Sequence, residues 1–195
     1  MSLIESLKNN AKNTFKSLTK NDEFLPKAFL IKDGKIHMEV PLDFSEEDRK
    51  KKSFNLLGTI CAENGCHSVA FFMDSWIREF DKSVDKDYIS NNWETECPST
   101  YPESMRKQAI LICLFDFKNE DQNCLIVYNN SDSGFTIERE EYMDYAEGSI
   151  REAVMMGFVY YKGHELFKNN ESLEGVQEKL IDEYPNLILR GEDNA

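Results

Sequence analysis

Histidine, cysteine and positive charge are all scarce in this chain. Three histidines and five cysteines are spread over 195 residues. None of them falls in a Cys-x-x-Cys pair, a His-x₃-His pair, or the His-x-Glu … Pro-Cys-x-x-Cys pattern of zinc deaminases. No metal and no cofactor is therefore expected. The cysteine number is odd, several of the thiols lie in apolar runs, and no signal peptide precedes them. This reads as reduced thiol in a cytoplasmic protein. No apolar run approaches the ~20 residues that a bilayer span needs. Basic residues number 23 against 36 acidic ones, for a net charge of −13. Nucleic-acid binding by phosphate neutralisation is disfavoured, and so is docking to an anionic membrane.

The residues present are those of a folded domain. A hydrophobic content of 41%, with 12% aromatic, is enough for a real core, and the length suits one domain spanning residues 1–195. Charge is uneven along it. Residues 1–53 are slightly basic, whereas residues 138–195 hold six basic side chains against fourteen acidic ones. That acidic part would suit a basic partner or a solvated surface.

Leu3, Leu7, Ala11 and Phe15 recur every four residues, with Ile4 and Leu18 beside them. They predict an amphipathic helix over 3–19 packed on the domain, with Lys8, Lys12, Lys16 and Lys20 on its wet side. Two β-prone runs, 27–32 and 35–40, flank Asp33-Gly34, a two-residue hairpin signal. A helix follows, with Ser45 as its cap, acids in its first turn, Phe54, Leu57, Ile60 and Cys61 inward, and Asn64-Gly65 as its stop. The buried run 66–73 comes next, so this stretch suggests a βαβ crossover. Residues 77–104 form a polar excursion, with a short helix expected around 76–82. The runs 108–117 and 124–128 read as a hairpin, and 135–138 as a further strand. From about Glu140 the pattern turns helical, with Ile150, Val154, Phe158 and Tyr161 on one face, although Gly148 and Gly157 argue against a single uninterrupted helix. A short helix carrying Leu173, Val176, Leu180 and Ile181 ends at Tyr184-Pro185, and the tail 191–195 is expected to fray. The expected fold is α+β: a mixed sheet of five to six strands, built from hairpins plus one βαβ-like crossover and covered by helices.

Both tryptophans, Trp76 and Trp93, lie in or beside the polar excursion. Side chains just beyond a strand end often line a ligand crevice, which singles out Asp74, Trp76 and Arg78. Trp76 offers a stacking face, Arg78 an anion fork, and Asp74 an acid–base group. Pro98 to Arg106 delivers Glu103 and Arg106 to the start of the next strand. If that strand runs antiparallel to 66–73, Arg106 approaches Trp76. Cys66 and His67 point to opposite faces of an extended strand and cannot pair directly.

The residues Asp74, Trp76, Pro98, Ser99, Pro102, Glu103 and Ala109 form an acid-x-Trp … Pro-Ser-x-x-Pro-Glu pattern between apolar strands. In this the chain resembles a group of uncharacterised prokaryotic and phage proteins, over about residues 24–130. The resemblance implies a prokaryotic cytoplasmic setting and no particular activity. The expected function is a non-enzymatic binding or accessory domain that uses the 74–106 region, with an unknown protein or small molecule as partner, no nucleic acid and no membrane, and self-association into a homo-oligomer in view. The alternative is a small-molecule hydrolase with Asp74 or Glu103 as general base and His67 or Cys97 nearby.

Overall fold

The Asp33-Gly34 turn shows how local sequence sets the start of the fold. Both residues adopt left-handed backbone, with φ of 50° and 71°, as a two-residue hairpin turn between right-twisted strands requires. It joins β1 (Lys27–Lys32) to β2 (Lys35–Pro41). In the computed structural model, residues 2–18, 24–78, 106–131, 134–143, 148–169 and 172–187 are described. The other elements are α1 (Leu3–Lys16), α2 (Glu47–Glu63), β3 (Ser68–Arg78), β4 (Arg106–Asp116), β5 (Gln122–Ser131), β6 (Gly134–Met143), α3 (Gly148–Lys168) and α4 (Leu173–Glu183), followed by a 3₁₀ turn at Pro185–Leu187.

The six strands form one sheet in the order β2-β1-β3-β4-β5-β6. The α+β class with a helix-covered sheet is as expected, but the sheet is antiparallel throughout rather than mixed. β2 and β3 do run the same way, with α2 as their crossover. β1 is inserted between them, however, and pairs antiparallel with both, so no parallel neighbours arise. Period-2 patterning identifies strands but does not order them, and order decides this point.

Alternation sends the strands' apolar residues to both faces. Ala28, Leu30, Val69, Phe71, Cys113 and Phe115 pack under α2, α3 and α4. Phe29, Ala70, Phe72, Ile110, Ile112 and Ile126 pack under α1, through Leu7, Ala11 and Phe15. The core is thus a sheet between two helical layers. α2 and α3 cross at backbone contact. A Cβ added at Gly58 would overlap the Val154 carbonyl oxygen, one at Gly157 would overlap that of Asn55, and Thr59 Oγ1 donates to Gly157 O at 3.2 Å. Gly157 therefore sits inside a continuous helix because the crossing needs it.

Several boundaries differ from expectation. α1 stops at Lys16, where Ser17 Oγ turns back onto Thr14 O at 2.6 Å. Ser45 does not cap α2; its N–H and hydroxyl both donate to Asp43 Oδ1, and the cap position falls to Glu46. β3 runs on to Arg78, so residues 76–78 are strand and not helix. β6 reaches Met143, so residues 140–143 of the stretch expected to be helical are strand, and the described helix is Gly148–Lys168. The rest of the polar excursion, Cys97, Trp93 and the tail 191–195 lie outside the described residues. Among the described residues, no helix is long and apolar enough to cross a membrane.

Two polar clusters lock the periphery. Lys8, 8% exposed, bonds Glu5 at 2.7 Å and Glu140 at 3.3 Å, and Lys12 also pairs with Glu140. The lysine stripe of α1 is thus partly a docking face for β6, and not wholly in water. At the other end of the sheet, Asn186 Nδ2 donates to Asp116 O at 2.7 Å and to Asp121 Oδ1 at 3.0 Å, while Arg151 bridges Asp121 and Asn186 O. This cluster pins the 3₁₀ turn against the β4–β5 hairpin.

Candidate functional site

β3 and β4 are each eleven residues long and pair along their full length, from Ser68↔Asp116 to Arg78↔Arg106. β1 reaches only as far as Phe72 in this register. The last six residues of β3 therefore extend past β1, paired on the β4 side. Asp74 and Trp76 follow Phe72 at period 2 and so lie on the α1-facing side. Ser75 and Ile77 lie on the other side. Asp74 and Trp76 thus sit within the end of the strand, not beyond it.

Antiparallel pairing brings Arg106 to Trp76: its guanidinium carbon lies 4.6 Å from the ring centroid. This is a cation–π contact, and it restrains a large side chain that remains 37% exposed. One turn of the pleat inward, Tyr128 of β5 donates its hydroxyl to Asp74 Oδ1 at 2.9 Å. Tyr128 is held from behind by Phe15 of α1, edge-on at 4.6 Å between centroids, and by Phe135 of β6. The Asp74 side chain reaches solvent at the rim, yet protein crowds it on the sheet side. That burial pushes its carboxyl above the ordinary range against the opposing hydrogen bonds from Tyr128 and the Ser75 backbone. Burial and the neighbouring Asp74 carboxylate push the Tyr128 phenol upward, so it keeps its proton and remains a donor.

Of the residues singled out from sequence, Trp76 and Arg106 come into contact, and Asp74 lies on the same face two residues back along β3, bonded to Tyr128. Arg78 stands opposite Arg106 in the backbone register. Glu103 lies outside the described residues. Sequence reasoning missed Tyr128, whose signal was its place in the apolar run 124–128 facing Ile110 and Gln108 in an antiparallel partner.

Other candidate chemistry lies elsewhere. His67 precedes the start of β3 and is seven residues from Asp74, roughly 23 Å at ~3.3 Å per residue. Ser68 Oγ, at 3.0 Å, and Asp116 Oδ1, at 3.4 Å, both approach the same His67 nitrogen, Nδ1. A relay needs its acid and its nucleophile on opposite ring nitrogens, so this trio is not one. Burial drives up the Asp116 carboxyl, but hydrogen bonds from Lys118 and Asn119, helped by His67, outweigh it and hold the group below its ordinary value. The Cys61, Cys66 and Cys124 thiols are pushed up by burial, which makes them poor nucleophiles. Among the described residues, no group of three or more His, Cys, Asp or Glu is placed to hold a metal ion.

The sheet end thus offers a pinned indole, a guanidinium, and a carboxyl–phenol pair that can accept and donate hydrogen bonds. Neither a protein-family model nor a curated protein nor a solved structure matches this chain.

Proposed function

We propose that the chain is a non-enzymatic binding or accessory domain of the cytoplasm, and that it engages a protein or small-molecule partner through the sheet end formed by Asp74, Trp76 and Arg106. The observation that carries this reading is the Arg106–Trp76 stack with the indole left partly open. Tryptophan and arginine dominate interface energetics, and a side chain already held in place loses little freedom when a partner arrives. Phosphate-driven binding to nucleic acid does not fit a net charge of −13.

A thermal-shift screen against divalent metals, nucleotides, sugars, amino acids and acyl compounds tests it, with the Trp76→Ala and Arg106→Ala variants run in parallel. A ligand at a hundred times its Kd adds about 2.7 kcal/mol of stability, a readily measured shift. The expected result is a shift, or capture of a defined partner, that Trp76→Ala abolishes while the variant keeps the wild-type fold. Binding indifferent to both substitutions overturns the proposal. One observation favours the hydrolase reading: the raised Asp74 carboxyl beside a phenol donor suits a general base. That reading requires ester, amide or phosphate turnover that disappears in Asp74→Asn.

A further inference from the structure

Helix α2 ends in a Schellman turn, and the two residues that such a turn brings together are both cysteines. Gly65 takes left-handed backbone, with φ of 62°. The Cys66 N–H donates to Cys61 O at 2.9 Å, and the Gly65 N–H donates to Ala62 O at 3.1 Å. These are the two backbone bonds of the motif, in which the first and last side chains meet. Here those side chains are Cys61 and Cys66, both free thiols buried in the same core cluster. With standard covalent lengths, the bonded backbone leaves their Cα atoms at most ~6.8 Å apart, within the span that a disulfide bridges.

The surroundings of the two thiols differ. Cys61 Sγ lies against Ser68 O at 3.8 Å. Cys66 Sγ lies against Asn64 O at 3.9 Å, and that carbonyl also accepts from Lys32 Nζ at 3.2 Å. A cation beside a thiol favours its thiolate, so Lys32 opposes the burial that raises Cys66. Cys66 also follows the exposed Gly65 at a helix end, where local opening costs least. We propose that Cys61 and Cys66 are a redox-sensitive pair: Cys66 reacts first with a small disulfide of the glutathione class, and Cys61 resolves the adduct into a Cys61–Cys66 disulfide. The Cys66 thiolate attacks one glutathione sulfur and expels a glutathione thiolate. The Cys61 thiolate then attacks the Cys66 sulfur and expels the second. Two electrons pass from the cysteine pair to one glutathione disulfide, and the two thiol protons end on the two glutathiones released. The new bond staples the end of α2 to the chain entering β3, at the opposite end of that strand from Asp74. Burial keeps both thiols protonated while the turn is closed, so the pair responds slowly, through opening of the turn.

Equilibration of the full chain in graded mixtures of oxidised and reduced glutathione, with and without unfolding urea, tests the inference by mass spectrometry. Trypsin releases residues 53–78 as one peptide holding both cysteines, and cleavage after Glu63 divides it into two fragments that a Cys61–Cys66 bond keeps joined. The native chain is expected to form this bond with an equilibrium constant about tenfold above that of the unfolded chain, because the turn already holds the two residues together. The oxidised protein accordingly melts above the reduced one. Cys61→Ser is expected to stop at one glutathione on Cys66, whereas Cys66→Ser leaves Cys61 unmodified over the same time. Trp76→Ala leaves the reaction unchanged, which separates this pair from the sheet-end site. A bond that forms no more readily in the native than in the unfolded chain overturns the inference, as does one that lowers the melting temperature. So does a native disulfide to any other cysteine, or a Cys61 in Cys66→Ser that takes up glutathione as fast as Cys66 does in Cys61→Ser. The comparison of native with unfolded wild type decides even if neither serine variant folds.

Discussion

Asp74 is a carboxyl whose surroundings oppose its charge. Burial raises its pKa above the ordinary 3.8, and the Tyr128 hydroxyl only partly offsets that. Folding therefore favours the protonated acid. This contribution is fully present below the ordinary value and is lost as pH rises through the higher folded one. Asp74→Asn keeps an acceptor for Tyr128 and removes the charge. At pH 7 the variant is expected to melt above the wild type, with the difference closing as pH falls to about 4 and below. Thermal melts of both proteins across that range check it, and a wild type that is the more stable at pH 7 contradicts the assignment. The approach of Arg106 to Trp76 was legible in the sequence because it depends on one strand pairing. The Tyr128 bond was not, because it reaches from β3 across β4 to β5 and so needs the order of three strands.

At the scale of elements, Gly58 and Gly157 show how a local rule gives way to packing. Propensity alone counts Gly157 against α3. In the fold it lets α2 and α3 touch through their backbones, where any Cβ overlaps a carbonyl oxygen. Gly163, on the same helix, has only the Val176 side chain at 3.9 Å from a would-be Cβ. Gly157→Ala and Gly58→Ala are therefore each expected to cost about 2–4 kcal/mol, because the helices must separate. Gly163→Ala is expected to gain about 0.5–1 kcal/mol from helix propensity alone. Urea unfolding of the three variants distinguishes a close crossing from a general intolerance of alanine. The helices and hairpins themselves were readable from periodicity and turn residues. The crossing was not, because a glycine that weakens a helix and one that admits a neighbour are written alike.

At the scale of the whole molecule, the uneven charge has an internal use. The slightly basic N-terminal stretch supplies Lys8 and Lys12, and the acidic C-terminal stretch supplies Glu140, so part of the acidic surface faces the chain's own first helix. Through that docking α1 closes the second face of the sheet. It also seats Phe15 against Tyr128, the residue that holds Asp74. Fold and candidate site are thus coupled through one helix, and a paired substitution exposes the coupling. Phe15 and Phe158 are both buried, one under each helical layer. Either replaced by alanine is expected to cost about 3–5 kcal/mol in urea unfolding. Only Phe15→Ala opens a cavity behind Tyr128 and admits water towards Asp74. In that variant the Asp74 side-chain carbon, followed by NMR as pH is varied, is expected to titrate closer to the ordinary value of 3.8, because burial is the cause of its shift. In Phe158→Ala the titration is expected to stay where it is in the wild type. Equal movement in both variants would mean that the site responds to lost stability in general and not to α1.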